Sequence, residues 1–456
     1  MDNMAPQQGT GDREAFVSTE RDTAAVQSTV ATDMEDHALE PVPADRRRPL
    51  LQLIVVQMGW NISVSSFLVG GVVGGGTSLG EGLLAILLGN VLLALVASLV
   101  GMVGFRTGLT SYLTSRAVFG THGAVIVSLF LGVVAMGFIG VLMDTWGLAV
   151  NQLIPEIPKW AFVLAFSAAI LTTAIFGFKG LHRYSAIAVP VQVAIALFAL
   201  VRIGDLDGGF ADVVNYAPAA PIGFSVAIGA VIATWVTGAA LVGDVQRYAV
   251  RARDVVLSSF CGFAVGAAIF ETIATVSAMK VGNSNFVVVM QGLGLLAPAA
   301  VMLFLALWNT ADNNIYSASL AFTNASNTLG LKIAKPVWTV IAVLIALLIA
   351  FAGLAAEFQR FLGVISVVVP PFAGVLIAYF WVVVRRWDAT ELLRTAPSVR
   401  WEALGCWVAG ALIARYGDLL IADAIEGLVA GFVLYAVVGT AITRWRTTSQ
   451  AAEVRS

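Results

Sequence analysis

The chain has 456 residues, of which 59% are hydrophobic and 12% charged, and its mean hydropathy is +0.88. Soluble domains carry about 25% charged residues, so the composition excludes a soluble globular protein and describes a chain that crosses a membrane repeatedly. The net charge of −2 offers no basic surface to a nucleic acid.

Residues 1–48 hold ten acids against five arginines and are rich in Thr, Ser and Gln. They lack hydrophobic periodicity and the apolar core of a signal peptide, and are expected to form a disordered cytoplasmic tail. Beyond them, at ~20 apolar residues per span, twelve spans are expected, near 50–76, 80–104, 122–152, 158–178, 183–202, 221–244, 254–280, 294–326, 336–355, 358–384, 400–418 and 422–442. An even count places both termini on one side. Basic residues accumulate in cytoplasmic loops, and the loops on the side of the termini carry thirteen, including Arg106, Arg116, Arg247 and Arg251, against five on the other side. Both termini are therefore expected in the cytoplasm, with the protein in the plasma membrane. Cys261 and Cys406 fall inside spans and read as free thiols rather than a disulfide.

Span 1 is interrupted at Gly59-Trp60-Asn61-Ile62-Ser63-Val64-Ser65-Ser66 and then runs into the glycine cluster Gly70 to Gly76. Span 6 carries Thr234, Trp235 and Thr237 at its centre and ends in Gly243-Asp244-Val245-Gln246-Arg247-Tyr248. Hydrocarbon offers no water to a freed backbone group, so such centres belong against protein or a solvated cavity. Two interrupted spans five apart match the inverted-repeat transporters, whose second half has the opposite topology. The expected fold is an all-α polytopic membrane protein of about twelve helices. Its LeuT-like five-plus-five inverted repeat would have broken helices 1 and 6. The tail 1–48 is followed by a transport core 49–384 (repeats 49–203 and 220–384), two peripheral helices in 385–446, and a C-terminal tail 447–456. Close packing between helices is the alternative reading of the glycines and serines of span 1.

Span 8 contains Trp308-Asn309-Thr310-Ala311-Asp312-Asn313-Asn314-Ile315-Tyr316-Ser317. At 3.6 residues per turn, Ala306, Asn309, Thr310, Asn313 and Ser317 share a face. An aspartate at the centre of a span costs about 3 kcal/mol, so this face is expected to bind a ligand or ion, or to carry a hydrogen-bond network between helices. Asp144 in span 3 and Glu271 in span 7 are intramembrane carboxylates, hence functional candidates. Three roles stay open for them: proton coupling, pairing with a cationic substrate, or a mutually satisfied structural pair. Asp244 and Arg247 are expected on the cytoplasmic surface, as anchors or as a gate whose ion pair breaks on opening. No zinc spacing, phosphate loop or nucleophile motif is present, and no enzyme activity is expected.

The segments Arg106 to Gly120, Gly243 to Tyr248 and Leu307 to Leu320 together resemble the nucleobase:cation symporter family, which includes cytosine and purine permeases and the hydantoin and allantoin transporters. The resemblance runs from about Leu51 to Arg444. It implies that a flat heterocycle stacks between Phe138 on span 3 and Trp235 on span 6, with Thr234, Thr237, Asn313 and Asn314 reading its polar edge. Ala135 and Phe138 stand where the resembling cytosine permeases carry glutamine and tryptophan. The family's sodium site implies oxygen ligands from Gly59 and Ile62 or Ser63 in span 1, and from Ala306, Asn309 and Thr310 in span 8. Asn309 replaces a hydroxyl residue there, so Na⁺ and H⁺ both remain open as the coupling ion, with Asp144, Glu271, Asp312, Asp244 and Arg247 as coupling or gating candidates. No other cofactor is implied. The expectation is a secondary active symporter that imports a small planar nitrogen heterocycle, with the lipid bilayer, the substrate and the coupling cation as its partners. A cationic or vitamin-like heterocycle is the alternative cargo, and a channel or a transporter-fold nutrient sensor the alternative class.

Overall fold

The computed structural model describes residues 36–453 apart from 285, 354–357, 385–386, 418–419 and 421. Among these residues the fold is helical, and the one β-bridge joins Arg48 to Ala249. The expectation for residues 1–35 lies outside the described residues. Residues 36–48, expected in the same disordered tail, are instead part of the fold: Ala38 and Val42 are buried, and Val42 N–H donates to the Gly108 carbonyl at 2.9 Å.

The helices are α1 (Leu50–Asn61), α2 (Val64–Gly76), α3 (Leu79–Thr107), α4 (Ser111–Phe119), α5 (Gly123–Leu153), α6 (Lys159–Ala174), α7 (Phe178–Asp205), α8 (Gly209–Val214), α9 (Phe224–Leu241) and α10 (Gly243–Gln246). There follow α11 (Ala252–Phe260) and α12 (Ala268–Val281), joined by a π-helical turn over Cys261–Ala267, then α13 (Phe286–Gly292), α14 (Leu296–Thr328), α15 (Lys335–Phe351), α16 (Phe358–Ala378), α17 (Ala389–Arg394), α18 (Trp401–Tyr416) and α19 (Asp423–Glu453). Each expected span overlaps a helix, spans 1 and 7 falling on two helices each. Among the described residues, however, only seven helices are long and apolar enough to cross a membrane, eight if the bent pair α1–α2 is one span. The shortfall has physical reasons. α6, α15 and α18 have 16, 17 and 16 residues, and α14, with 33, is too polar from Asn309 to Asn314. The last helix also runs to Glu453 rather than ending before a tail at 447.

The break in span 1 is present, with α1 and α2 bent by 56°. Ser63 takes an extended conformation and caps α2 by accepting the Ser65 N–H, while Ser66 Oγ donates to the freed Asn61 carbonyl at 2.9 Å. The cap and this bond replace helical bonds lost at the kink. The glycines of α2 have a separate task. A Cβ on Gly74 would lie 2.5 Å from the Thr275 carbonyl of α12, and one on Gly70 would collide with the Glu271 carbonyl. Thr275 Oγ1 donates to the Gly70 carbonyl at 2.9 Å, so α2 and α12 touch backbone to backbone along one seam. Both readings of the span 1 sequence therefore hold, for different residues.

Span 6 is not broken where its sequence suggested. α9 is continuous from Phe224 to Leu241, because Thr234 Oγ1 donates back to the Ala230 carbonyl at 2.8 Å and leaves the helical ladder intact. The direction changes only at Val242, where the short α10 begins. α14 lies along α5 and also touches α1 and α7, while α9 packs on α3; α18 and α19 gather against α16 at the periphery. The close seam between α2 and α12 makes a prediction. Gly74→Val should lower thermal stability by on the order of 1–3 kcal/mol, typical of overpacking. Melting of the purified protein in detergent, beside the control Gly80→Ala, which has open space around it, measures this.

Candidate substrate and cation site

Two of the expected cation ligands, Gly59 and Asn309, meet where α1, α7 and α14 converge. A Cβ on Gly59 would lie 3.1 Å from Asn309 Nδ2 and would overlap Ser185 Oγ, and Ser185 Oγ donates to Asn309 Oδ1 at 2.9 Å. Asn309 Nδ2 is buried without a partner. A hard cation needs oxygen, and turning the amide would present Oδ1 towards Gly59 and give Nδ2 to the Ser185 hydroxyl, an equivalent arrangement. Thr310 Oγ1 donates to the Ala306 carbonyl at 3.0 Å. Ile62 and Ser63 form the kink itself, and Ser63 Oγ is already committed to capping α2. Ser185, which the sequence reading missed, belongs with this set.

Trp235 is buried, and its indole N–H points at Ser66 Oγ, 3.3 Å away, which in turn holds the Asn61 carbonyl. The aromatic platform is thereby tied to the break in span 1. Gly238, one turn on, leaves its ring and that of Trp60 each 3.7 Å from where a Cβ would stand. The Thr237 hydroxyl is buried without a partner, whereas Thr234 spends its own on Ala230. Thr237 is thus the freer of the two for a ligand. Phe138 is half-buried and meets Phe361 of α16 edge to face, with ring centroids 5.2 Å apart; Phe361 also fills the space over Gly137. Phe361 had no sequence signal. On α14, Asn313 Nδ2 and Asn314 Nδ2 donate to the carbonyls of Asn309 and Thr310 at 2.9 and 2.8 Å. Asp312 is fully buried with both carboxylate oxygens unpartnered.

The intramembrane carboxylates do not pair with each other. Asp144 is bound by Lys159 at 2.7 Å across the α5–α6 turn, which satisfies it locally and removes it from any joint site with Glu271. Glu271 Oε2 instead accepts the Asn90 amide of α3 at 2.5 Å. A surface cleft of about 270 Å³ lined by Tyr379, Arg400, Glu402 and Tyr435 contains none of the expected site residues.

Residues 41–439 match the family described as permeases for cytosine/purines, uracil, thiamine and allantoin. The chain belongs to this family. It is 30% identical to a cytosine permease of Escherichia coli (strain K12) over 365 residues, covering 80% of this chain and 85% of that one. Two solved structures share its fold. One is a nucleobase-cation-symport-1 family transporter in a closed conformation with bromovinylhydantoin bound (TM-score 0.78, 19% identity, 90% of this chain and 95% of that one). The other is a Na⁺-coupled sialic acid symporter in a substrate-bound outward-open state (TM-score 0.64, 15% identity, 90% and 95%).

At the end of α9 the structure differs from the sequence reading. Asp244 and Arg247 are buried rather than exposed, and Arg247 does not pair with the Asp244 carboxylate. Its guanidinium donates to the Asp36 and His37 carbonyls, each at 2.8 Å, and to the Tyr316 hydroxyl at 3.0 Å, with the Asp36 carboxylate 3.6 Å away. Asp36 and His37 hold left-handed backbone angles, φ 52° and 51°, uncommon for non-glycine residues, and the two bonds from Arg247 fix them there. The N-terminal segment, α9–α10 and α14 thus share one guanidinium. Asp244 Oδ1 accepts the Ser111 N–H at 2.7 Å, joining α4 to the same cluster.

Burial pushes the Asp244 carboxyl up to about 6, against the lowering effect of the Ser111 N–H and Arg247. The folded state therefore retains a proton that the unfolded chain releases near 3.8. The Asp244 contribution favours the fold at low pH and is lost as pH rises through the folded value. Melting of wild type and Asp244→Asn from about pH 4 to 7 should show wild type losing stability relative to the variant across that window. Parallel curves would contradict the burial argument.

Proposed function

We propose that this protein is a secondary active symporter that imports a small planar nitrogen heterocycle, a nucleobase or a close relative, together with Na⁺ or H⁺. The observation that carries the reading is the placement of Trp235: a buried aromatic face bonded through Ser66 to the broken span, with the unpartnered Thr237 hydroxyl two residues on in the same helix. Stacking suits a flat ring, and an aromatic pair adds about 1 kcal/mol beyond burial. Phe138 would be the opposing face, with Phe361 closing over it, and Asn313 and Asn314 would supply amides that both donate and accept. Membership of a permease family, and relatives named for cytosine transport and for bound bromovinylhydantoin, support the heterocycle class.

The five-plus-five repeat is proposed as α1–α7 and α9–α16, with both termini cytoplasmic in the plasma membrane. α1–α2 is the discontinuous span, and the site lies near the bilayer midplane where transporters of this architecture place it. Alternating access then requires substrate and cation to bind one arrangement of the bundle better than the other. The Arg247 cluster is the proposed cytoplasmic closure, because opening that side must separate the N-terminal segment, α10 and α14. The Gly59, Ser185 and Asn309 junction, with Thr310 and Ala306, is the proposed seat for Na⁺. The fold of a Na⁺-coupled sialic acid symporter supports considering it.

Uptake into proteoliposomes tests the proposal, with radiolabelled cytosine competed by purines, uracil, allantoin and hydantoins under separate Na⁺ and H⁺ gradients. Saturable accumulation with at least one heterocycle as competitor is expected. Trp235→Ala should weaken binding at least tenfold while the protein still melts cooperatively. Retained affinity in that variant would remove the stacking role, and flux that neither saturates nor accumulates would indicate a channel.

A further inference from the structure

Among the described residues, the Glu271 side chain has a hydrogen-bond deficit. Its side chain is fully buried in α12. Asn90 Nδ2 donates to Glu271 Oε2 at 2.5 Å and to the Ile86 carbonyl at 2.9 Å, so both amide hydrogens are spent. Glu271 Oε1 and Asn90 Oδ1 are left as two buried oxygens with no donor. Two acceptors and no hydrogen is the arrangement a carboxylate and an amide present when one proton is lacking. A carboxylic acid would supply that donor. A carboxylate left in place would be a buried charge without a counter-ion, which is strongly unfavourable.

Among the described residues, none of the helices packed against α12 brings a cation to it. α2 and α13 carry no charged residue, and on α3 the charged residues Glu81 and Arg106 stand near the two ends. Lys280, at the far end of α12 itself, is paired with Asp212 of α8 at 2.6 Å. On α7, Lys179, His182 and Arg183 lie at one end, while Arg202 and Asp205 lie 3.8 Å apart at the other. Asp312 differs in this respect, since the Lys335 ammonium acts on it.

The position also connects to the substrate platform. The Trp235 indole N–H is directed at Ser66 Oγ, 3.3 Å away, and acts electrostatically on the Glu271 carboxyl. An ionised Glu271 would be the stronger acceptor and would draw the indole from Ser66, and Ser66 secures the Asn61 carbonyl at the break. A neutral Glu271 leaves Trp235 on Ser66. The backbone of Glu271 is itself pressed against Gly70 of α2.

We propose that Glu271 is a proton-binding site and that the proton it carries is the coupling cation. The proposal rests on the symport reading above and names its ion. Protonation sets Trp235 for stacking and lets the bundle close around a neutral pair. Release on the opposite side, once water reaches the carboxyl, frees the indole and the substrate together. Coupling follows because proton and heterocycle favour the same arrangement.

Two measurements on the full chain test it. Infrared difference spectra of wild type against Glu271→Gln, without ligand at neutral pH, should show a protonated-carboxyl carbonyl band that shifts in D₂O and is missing from the variant; no such band overturns the proposal whether or not a substrate is known. In proteoliposomes, wild type should accumulate radiolabelled cytosine, or the best competitor of the uptake panel, under an acid-outside gradient without Na⁺. Glu271→Gln keeps the shape and mimics the neutral acid. It should lose gradient-driven accumulation at least tenfold and bind the heterocycle independently of pH, while still melting cooperatively. Variant accumulation equal to wild type, or wild-type uptake that follows Na⁺ and ignores pH, overturns it. An infrared band with no heterocycle transport in any mode would instead sink the function proposal while leaving the proton site standing.

Discussion

The kink between α1 and α2 is the constraint on which the transport core depends. A helix in hydrocarbon can stop only if the groups it frees find partners inside the protein. Here the Ser63 cap and the bond from Ser66 to the Asn61 carbonyl supply them. Everything proposed for the site refers back to that kink. Trp235 reaches it through Ser66, and Asn309 and Ser185 lie against Gly59 just before it. The second half of the span is clamped to α12 by glycines that leave no room for side chains. A small change at this one place can therefore be felt by the aromatic platform, the cation junction and Glu271 together.

The end of the bundle at α10 is organised by a different principle. Arg247 is fully buried, and burying a guanidinium is tolerated only when its fork of donors is met. Three backbone carbonyls, two tyrosine hydroxyls and a carboxylate do so; those of Asp36, His37 and Tyr316 come from the N-terminal segment and α14, and those of Asp244 and Tyr248 are local. Breaking this set would leave a charge without partners, which suits a closure with two discrete states rather than a gradual one.

Much of this was legible in the sequence, for physical reasons. Hydropathy marks helices because the bilayer enforces them. The break of span 1 was visible because Asn, Ser and Gly at mid-depth have few other uses. Span 6 was misread on the same logic: threonine hydroxyls can return to the carbonyl four residues back, so Thr234 is polar in sequence and silent in structure. The Asp144–Lys159 pair crosses a single helical turn-around and was open to prediction from the loop length, but the two carboxylates drew attention to each other instead. The Arg247–Asp36 contact spans 211 residues and leaves no local signature, and the composition of the tail argued against order. Phe361 and Asn90 are ordinary span residues until the fold sets them beside Phe138 and Glu271.

The central claim is that a flat heterocycle binds on Trp235 beside the break in span 1. A structure of the protein with a bound nucleobase or hydantoin measures this most directly. The account predicts ring density parallel to the Trp235 indole, with Phe138 on the opposite face and the Thr237 hydroxyl or the Asn313 amide at its polar edge. Ring density in the cleft beside Tyr379 and Arg400, or at any position that leaves Trp235 uncontacted, would contradict it.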